Sequence, residues 1–169
     1  MAARALQVGD RAPDFSLQTG EGTTLSLSGF RGQRVVLYFY PKDDTPGCTK
    51  EACSFQAGRA KLAKAEAVVL GVSGDDPSSH RRFAEKYHLT FPLLSDPQHA
   101  VCKAYGVYKQ KSMYGRTYWG IERTTFLIDE EGRIAAIFPK VKVDGHLEEV
   151  LKALSPGTVL FSQRQSTGK

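Results

Sequence analysis

Hydrophobic and polar positions along the chain follow two rhythms, and the switches between them mark its elements. Val35 to Tyr40 is an unbroken β-branched and aromatic run, the pattern of a strand covered on both faces. Val68 to Val72 repeats that pattern, and Phe91 to Leu94 is a shorter extended piece. Before them, Gly9 to Gly32 is rich in Gly, Ser and Thr. Its alternating stretches at Phe15-Ser16-Leu17 and Thr24-Leu25-Ser26-Leu27 predict a small hairpin. Helical spacing predicts helices over 48–65, 77–88, 96–105 and 145–154, the third with Asp96-Pro97 as its cap and first turn. Thr125 to Asp129 and Ile134 to Phe138 predict two strands that turn back on each other at Glu130-Glu131-Gly132.

The resulting order is strand, helix, strand, helix, then a hairpin and a closing helix. A βαβ unit with an antiparallel hairpin on the same sheet is the thioredoxin-like arrangement. The expected fold class is therefore α/β, a mixed central β-sheet flanked by helices, with an N-terminal β-hairpin. A chain of 169 residues without internal repeats fits a single domain, with its core over 9–154 and a polar, flexible tail over 162–169.

Composition narrows the function classes. The net charge of +5 is modest, and the cations are scattered among acids. No run approaches the roughly 20 apolar residues of a membrane span. Met1 to Arg11 lacks an apolar core followed by a cleavage site, so the expectation is a cytoplasmic protein with no membrane partner. Lys103 to Arg123 is the richest basic stretch and carries Tyr105, Tyr108, Tyr114, Tyr118 and Trp119. Interleaved aromatics and cations can bind single-stranded nucleic acid, but no nucleic-acid motif accompanies them. The stretch reads as a long loop with a solvated rim, and no nucleic-acid partner is expected. Three cysteines are too few for a disulfide scaffold of this size. His80, His88, His99 and His146 lie apart in polar surroundings without metal-ligand spacing to a cysteine, so neither metal nor cofactor is expected.

The chemistry concentrates in Tyr40-Pro41-Lys42-Asp43-Asp44-Thr45-Pro46-Gly47-Cys48-Thr49-Lys50-Glu51-Ala52-Cys53. This segment follows the carboxyl end of a buried strand and opens a helix, the edge where reacting groups gather in open α/β sheets. A free thiol of ordinary pKa, about 8.5, is only about 3% ionised at pH 7. A cysteine in a helix's first turn faces unpaired N–H groups and the positive end of the dipole, both of which favour the nucleophilic thiolate.

These residues resemble the peroxiredoxin family. Pro41, Thr45 and Cys48 match its Pro-x-x-x-Thr-x-x-Cys motif in type and spacing. The resemblance implies that Cys48 attacks a peroxide oxygen, that the Thr45 hydroxyl bonds the substrate, and that Pro41 shields the sulfur. It further implies an arginine distant in sequence, and Arg123 in Gly120-Ile121-Glu122-Arg123 fits that position. Together with Thr45-Pro46-Gly47-Cys48-Thr49-Lys50-Glu51-Ala52-Cys53 and Tyr114-Gly115-Arg116, it is similar to the peroxiredoxin Q, or bacterioferritin comigratory protein, group. That likeness implies a hydroperoxide substrate, thioredoxin or a similar dithiol protein as reductant, and a monomer with at most a weak dimer.

Cys53 stands five residues after Cys48, on the same predicted helix. Ideal helix geometry separates their Cα atoms by about 8.6 Å, beyond the disulfide range of about 4.4–6.8 Å. If Cys53 resolves an oxidised Cys48, the first turns must unwind. Two rival readings remain at this level. A thiol-disulfide oxidoreductase generally spaces its cysteines as Cys-x-x-Cys, and a nonenzymatic redox sensor or chaperone would signal through the same disulfide. Cys102, among helix formers, reads as a packed thiol.

Overall fold

The computed structural model describes residues 4–155; the polar tail expected over 162–169 lies outside them. The unbroken apolar run becomes the central strand β3 (Arg34–Phe39), whose residues after Arg34 are all buried. It pairs in parallel with β4 (Ala67–Ser73), placing Val36 opposite Val69, and antiparallel with β8 (Thr124–Ile128), placing Val36 opposite Leu127. The remaining strands of this sheet are β1 (Ser16–Thr19), β2 (Thr24–Ser26), β5 (Leu93–Ser95) and β9 (Ile134–Phe138). Its seven strands run in the order β2-β1-β5-β4-β3-β8-β9. This is the mixed sheet of a thioredoxin-like fold, edged on one side by the N-terminal β1–β2 hairpin.

Alternation along β3 divides the core in two. Val35, Leu37 and Phe39 point to one side, where Phe15, Leu27, Cys102, Tyr105 and Phe126 pack. Val36 and Tyr38 point to the other, covered by α1 (Pro46–Ala57), α2 (Arg59–Lys64), α3 (Pro77–Tyr87) and α5 (His146–Leu154) through Phe55, Leu62, Phe83 and Val150. Cys48 belongs to this second cluster and Cys102 to the first, so the sheet stands between them.

Three expectations need correction. The helix expected over 48–65 is two helices that break at Gly58. A Cβ there would lie 2.7 Å from the Leu147 side chain of α5, so a larger residue would make that leucine shift. The helix expected over 96–105 is only α4 (Ala100–Ala104). Asp96 and Pro97 stay outside it, and the buried Asp96 carboxylate accepts from the Val101 and Cys102 N–H groups. The expected loop after Lys103 is instead a two-stranded ribbon of β6 (Tyr108–Met113) and β7 (Arg116–Ile121). Its turn residues Tyr114 and Gly115 adopt φ of 53° and 77°, the left-handed values that suit a tight hairpin.

Candidate active site

Strand β3 ends at Phe39, and the loop 40–45 carries the chain to the N-terminus of α1. Thr45 is the N-cap residue in extended conformation and Pro46 occupies the first turn, a position where proline loses no helical hydrogen bond. Cys48 therefore sits in the first turn, as expected, with only 2% of its surface exposed. Arg123, placed just before β8, reaches across the strand ends and donates from Nη2 to Cys48 Sγ at 3.4 Å. Its backbone is fixed because its carbonyl accepts from the Val141 N–H at 2.9 Å. A Cβ on Gly47 would lie 3.1 Å from the same guanidinium nitrogen, so the glycine leaves room for this approach.

The second face of the guanidinium holds a residue that the sequence reading missed. Arg123 Nη1 donates to Glu51 Oε1 at 2.7 Å. Glu51 is 1% exposed, and its Oε2 is buried without a hydrogen-bond partner. Burial pushes the Glu51 carboxyl up to about 7, against the lowering pull of Arg123's charge and hydrogen bond. Burial also works against the charge on Arg123, but Glu51 and Cys48 together raise it above its ordinary value. Glu51 follows Cys48 by three residues, which places both on one helix face. That spacing was the available signal.

The other expected site residues are arranged less directly. The Thr45 hydroxyl donates to the Lys42 carbonyl at 2.8 Å and makes no capping bond. Pro41 opens the loop and is exposed. Cys53 is half-buried on α1, the same helix as Cys48. All three cysteines are free thiols. Burial and a hydrogen bond with Asp96 push the Cys102 thiol far up, which suits an inert packed group.

Two histidines expected in polar surroundings are buried instead, His80 on α3 and His146 on α5. His80 Nδ1 meets Asp43 Oδ2 at 2.7 Å and its Nε2 meets the Leu94 carbonyl at 2.9 Å. Tyr40 and Ser79 hydroxyls donate to the same Asp43 carboxylate, and Asp75 accepts from the Asp43 N–H. Asp43, Asp75 and His80 are close enough to present ligand atoms to one ion, but these atoms already bond one another and their neighbours. The cluster ties the loop before α1 to the ends of β4 and β5.

An arginine-paired cysteine at a helix N-terminus has the chemistry a nucleophile needs, and comparison with known proteins identifies its lineage. The AhpC/TSA family model matches residues 8–137. The chain belongs to this family. A Bcp peroxiredoxin of Coxiella burnetii is 57% identical over 150 residues, covering 89% of this chain and 99% of that protein. The peroxiredoxin Bcp of Bacillus subtilis is 47% identical over 149 residues, covering 88% and 95%. Among solved structures, Xanthomonas campestris peroxiredoxin Q superposes with a TM-score of 0.82 at 45% identity, covering 88% of this chain and 94% of that one. Within the family the chain is a peroxiredoxin of the Bcp/peroxiredoxin Q group, a thiol peroxidase acting on a peroxide with a thiol reductant. No helix among the described residues is long and apolar enough to cross a membrane.

Proposed function

We propose that this peroxiredoxin reduces hydrogen peroxide and organic hydroperoxides through Cys48 and resolves the product through Cys53. The observation that carries this reading is the Arg123 guanidinium 3.4 Å from Cys48 Sγ at the mouth of α1. The positive charge and the helix N-terminus both stabilise a sulfur anion. The same guanidinium can follow the charge as it moves onto the departing oxygen. The thiolate attacks one peroxide oxygen: an S–O bond forms, the O–O bond breaks, and the leaving alkoxide or hydroxide takes a proton to become alcohol or water. Cys48 becomes a sulfenic acid.

Thr45 turns its hydroxyl from Lys42 to the bound peroxide, and Pro41 closes over the sulfur. Cys53 then attacks the sulfenic sulfur, forming an S–S bond and releasing the oxygen as water. Since Cys48 and Cys53 share α1, their Cα atoms lie about 8.6 Å apart in an intact helix, and the first turns unwind for this step. A dithiol protein of the thioredoxin kind exchanges into the disulfide, leaving both cysteines reduced and itself oxidised. A single domain acting as a monomer in the reducing cytoplasm fits this cycle.

The test is to treat reduced protein with one equivalent of hydrogen peroxide and map its cysteines by non-reducing peptide mass spectrometry. The expected product is a Cys48–Cys53 crosslink. A Cys48–Cys102 or intermolecular bond would overturn the resolving step, and a Cys48 that stayed a thiol would overturn the whole reading.

A further inference from the structure

The ribbon of β6 and β7 is the most exposed aromatic surface described, and it adjoins the active site. Met113, Tyr114, Tyr118 and Trp119 are four of the five exposed large hydrophobic residues, and all lie on this ribbon. The register pairs Lys109 with Gly120, Lys111 with Tyr118 and Met113 with Arg116. Alternation along each strand therefore gathers Lys109, Lys111, Met113, Arg116 and Tyr118 on one side. Lys111 on that side reaches toward the site, since its Nζ donates at 2.6 Å to the carbonyl of Ile121, two residues before Arg123.

More positive charge stands close by. Lys140 and Lys142 are exposed on the segment that Val141 holds against the Arg123 carbonyl. The nearby acids are engaged, Glu122 with Lys109 and Asp144 with Lys50. Thus the ribbon that leads away from the Cys48 site presents cations around two apolar side chains, with Met113 and Arg116 at its turn end. An occupant that fits must be acidic and must carry an apolar contact.

We propose that the site-facing side of this ribbon docks the reductant, an acidic dithiol protein. It seats apolar surface on Met113 and Tyr118 and a carboxylate on Arg116. This rests on the reading that a protein dithiol reduces the Cys48–Cys53 disulfide. A second copy of this chain would bring the same cations against these and be repelled. Nucleic acid is less favoured because two of the rings it would stack on, Tyr108 and Trp119, are already engaged. Tyr108 stacks on His99 with centroids 4.2 Å apart and on Trp119 at 5.7 Å.

The test uses the full chain with an acidic thioredoxin-type protein as reductant, comparing wild type with Arg116→Glu and Tyr118→Ala. Three rates are measured: protein-driven turnover over a range of salt, dithiothreitol-driven turnover, and the first oxidation by peroxide. Charge reversal at a docking rim should lower kcat/KM for the protein reductant about tenfold, mostly through KM, and flatten its salt dependence. Tyr118→Ala should raise that KM without changing the salt dependence. Dithiothreitol turnover and the peroxide step should stay unchanged, which also reports an intact fold. Unchanged protein-driven turnover in both variants would overturn docking alone. So would equal losses with dithiothreitol, a slower peroxide step, or single-stranded oligonucleotide retained by wild type and released by Arg116→Glu. A wild-type disulfide that dithiothreitol reduces and no dithiol protein does would defeat the underlying reading as well.

Discussion

Replacing Glu51 with glutamine isolates the cost of burying one carboxyl beside the reactive sulfur. Its ordinary value is 4.5, and in the fold burial moves it up to about 7. The carboxyl is thus more easily protonated folded than unfolded, and the folded state binds more protons between those values. Stability from this group is fully present below about 4.5 and is lost as pH rises through about 7. At 1.36 kcal/mol per pKa unit the loss amounts to about 3 kcal/mol, a large part of the roughly 5–15 kcal/mol that holds a typical domain together. Glutamine keeps an oxygen for Arg123 Nη1 but has no charge to desolvate. The assay is urea unfolding of the reduced protein from pH 4 to 8. The expected result is that wild type loses about 3 kcal/mol more than Glu51→Gln across that range. Parallel curves would refute the reasoning and mean that Arg123 fully compensates the carboxylate.

Other substitutions separate the proposed roles. Arg123→Ala should slow the first oxidation by peroxide about a hundredfold or more, read by stopped-flow at fixed pH; an unchanged rate constant would remove the arginine from the chemistry. Cys53→Ser should consume the first equivalent of peroxide normally but fail to turn over with a dithiol protein, and mass spectrometry should show Cys48 passing to sulfinic acid. Cys102→Ala should cost about 1–2 kcal/mol of stability for a small buried cavity and leave turnover intact, since the sheet separates it from Cys48.

The legible parts of this protein were those where local pattern and tertiary environment agree. Val35 to Tyr40 is apolar and aromatic throughout, so it had no alternative to a central strand, while the cysteine helix, expected from Cys48, begins two residues earlier at Pro46. Arg123 was found only through the family resemblance, because an arginine before a strand carries no local sign that it bends toward a sulfur. Glu51 and His80 were missed because acids and histidines are read as surface groups by default. Both lie three residues from a buried partner on their own helix, Cys48 and Phe83 respectively. The β6–β7 ribbon was read as a loop because only its base, Tyr108 and Ile121, packs on the core and the rest of both strands is largely exposed, which removes the alternation that reveals a strand. The neighbour that Gly58 leaves room for, Leu147, lies some ninety positions away in the chain, which no local window contains.

Glu51 also lies between the two cysteines that the proposed cycle joins, which ties its protonation to resolution. Unwinding from Cys48 to Cys53 takes the carboxyl out of the core and away from Arg123. It then returns from about 7 toward its ordinary 4.5. The closed helix therefore binds a proton more tightly than the open one, and between those values rising pH favours opening by up to about tenfold per pH unit. The first turn is otherwise lightly held: Thr45 makes no side-chain capping bond, and the Arg123 contact is to the sulfur that oxidation changes. Resolution should accelerate from pH 5 to 7 more steeply in wild type than in Glu51→Gln. The two proteins differ only at residue 51, so the difference between the two profiles isolates the helix. Rapid-quench alkylation after one equivalent of peroxide measures disulfide formation directly. Two profiles of equal steepness would mean that the helix opens without releasing Glu51, and resolution would then require a motion smaller than unwinding through residue 51.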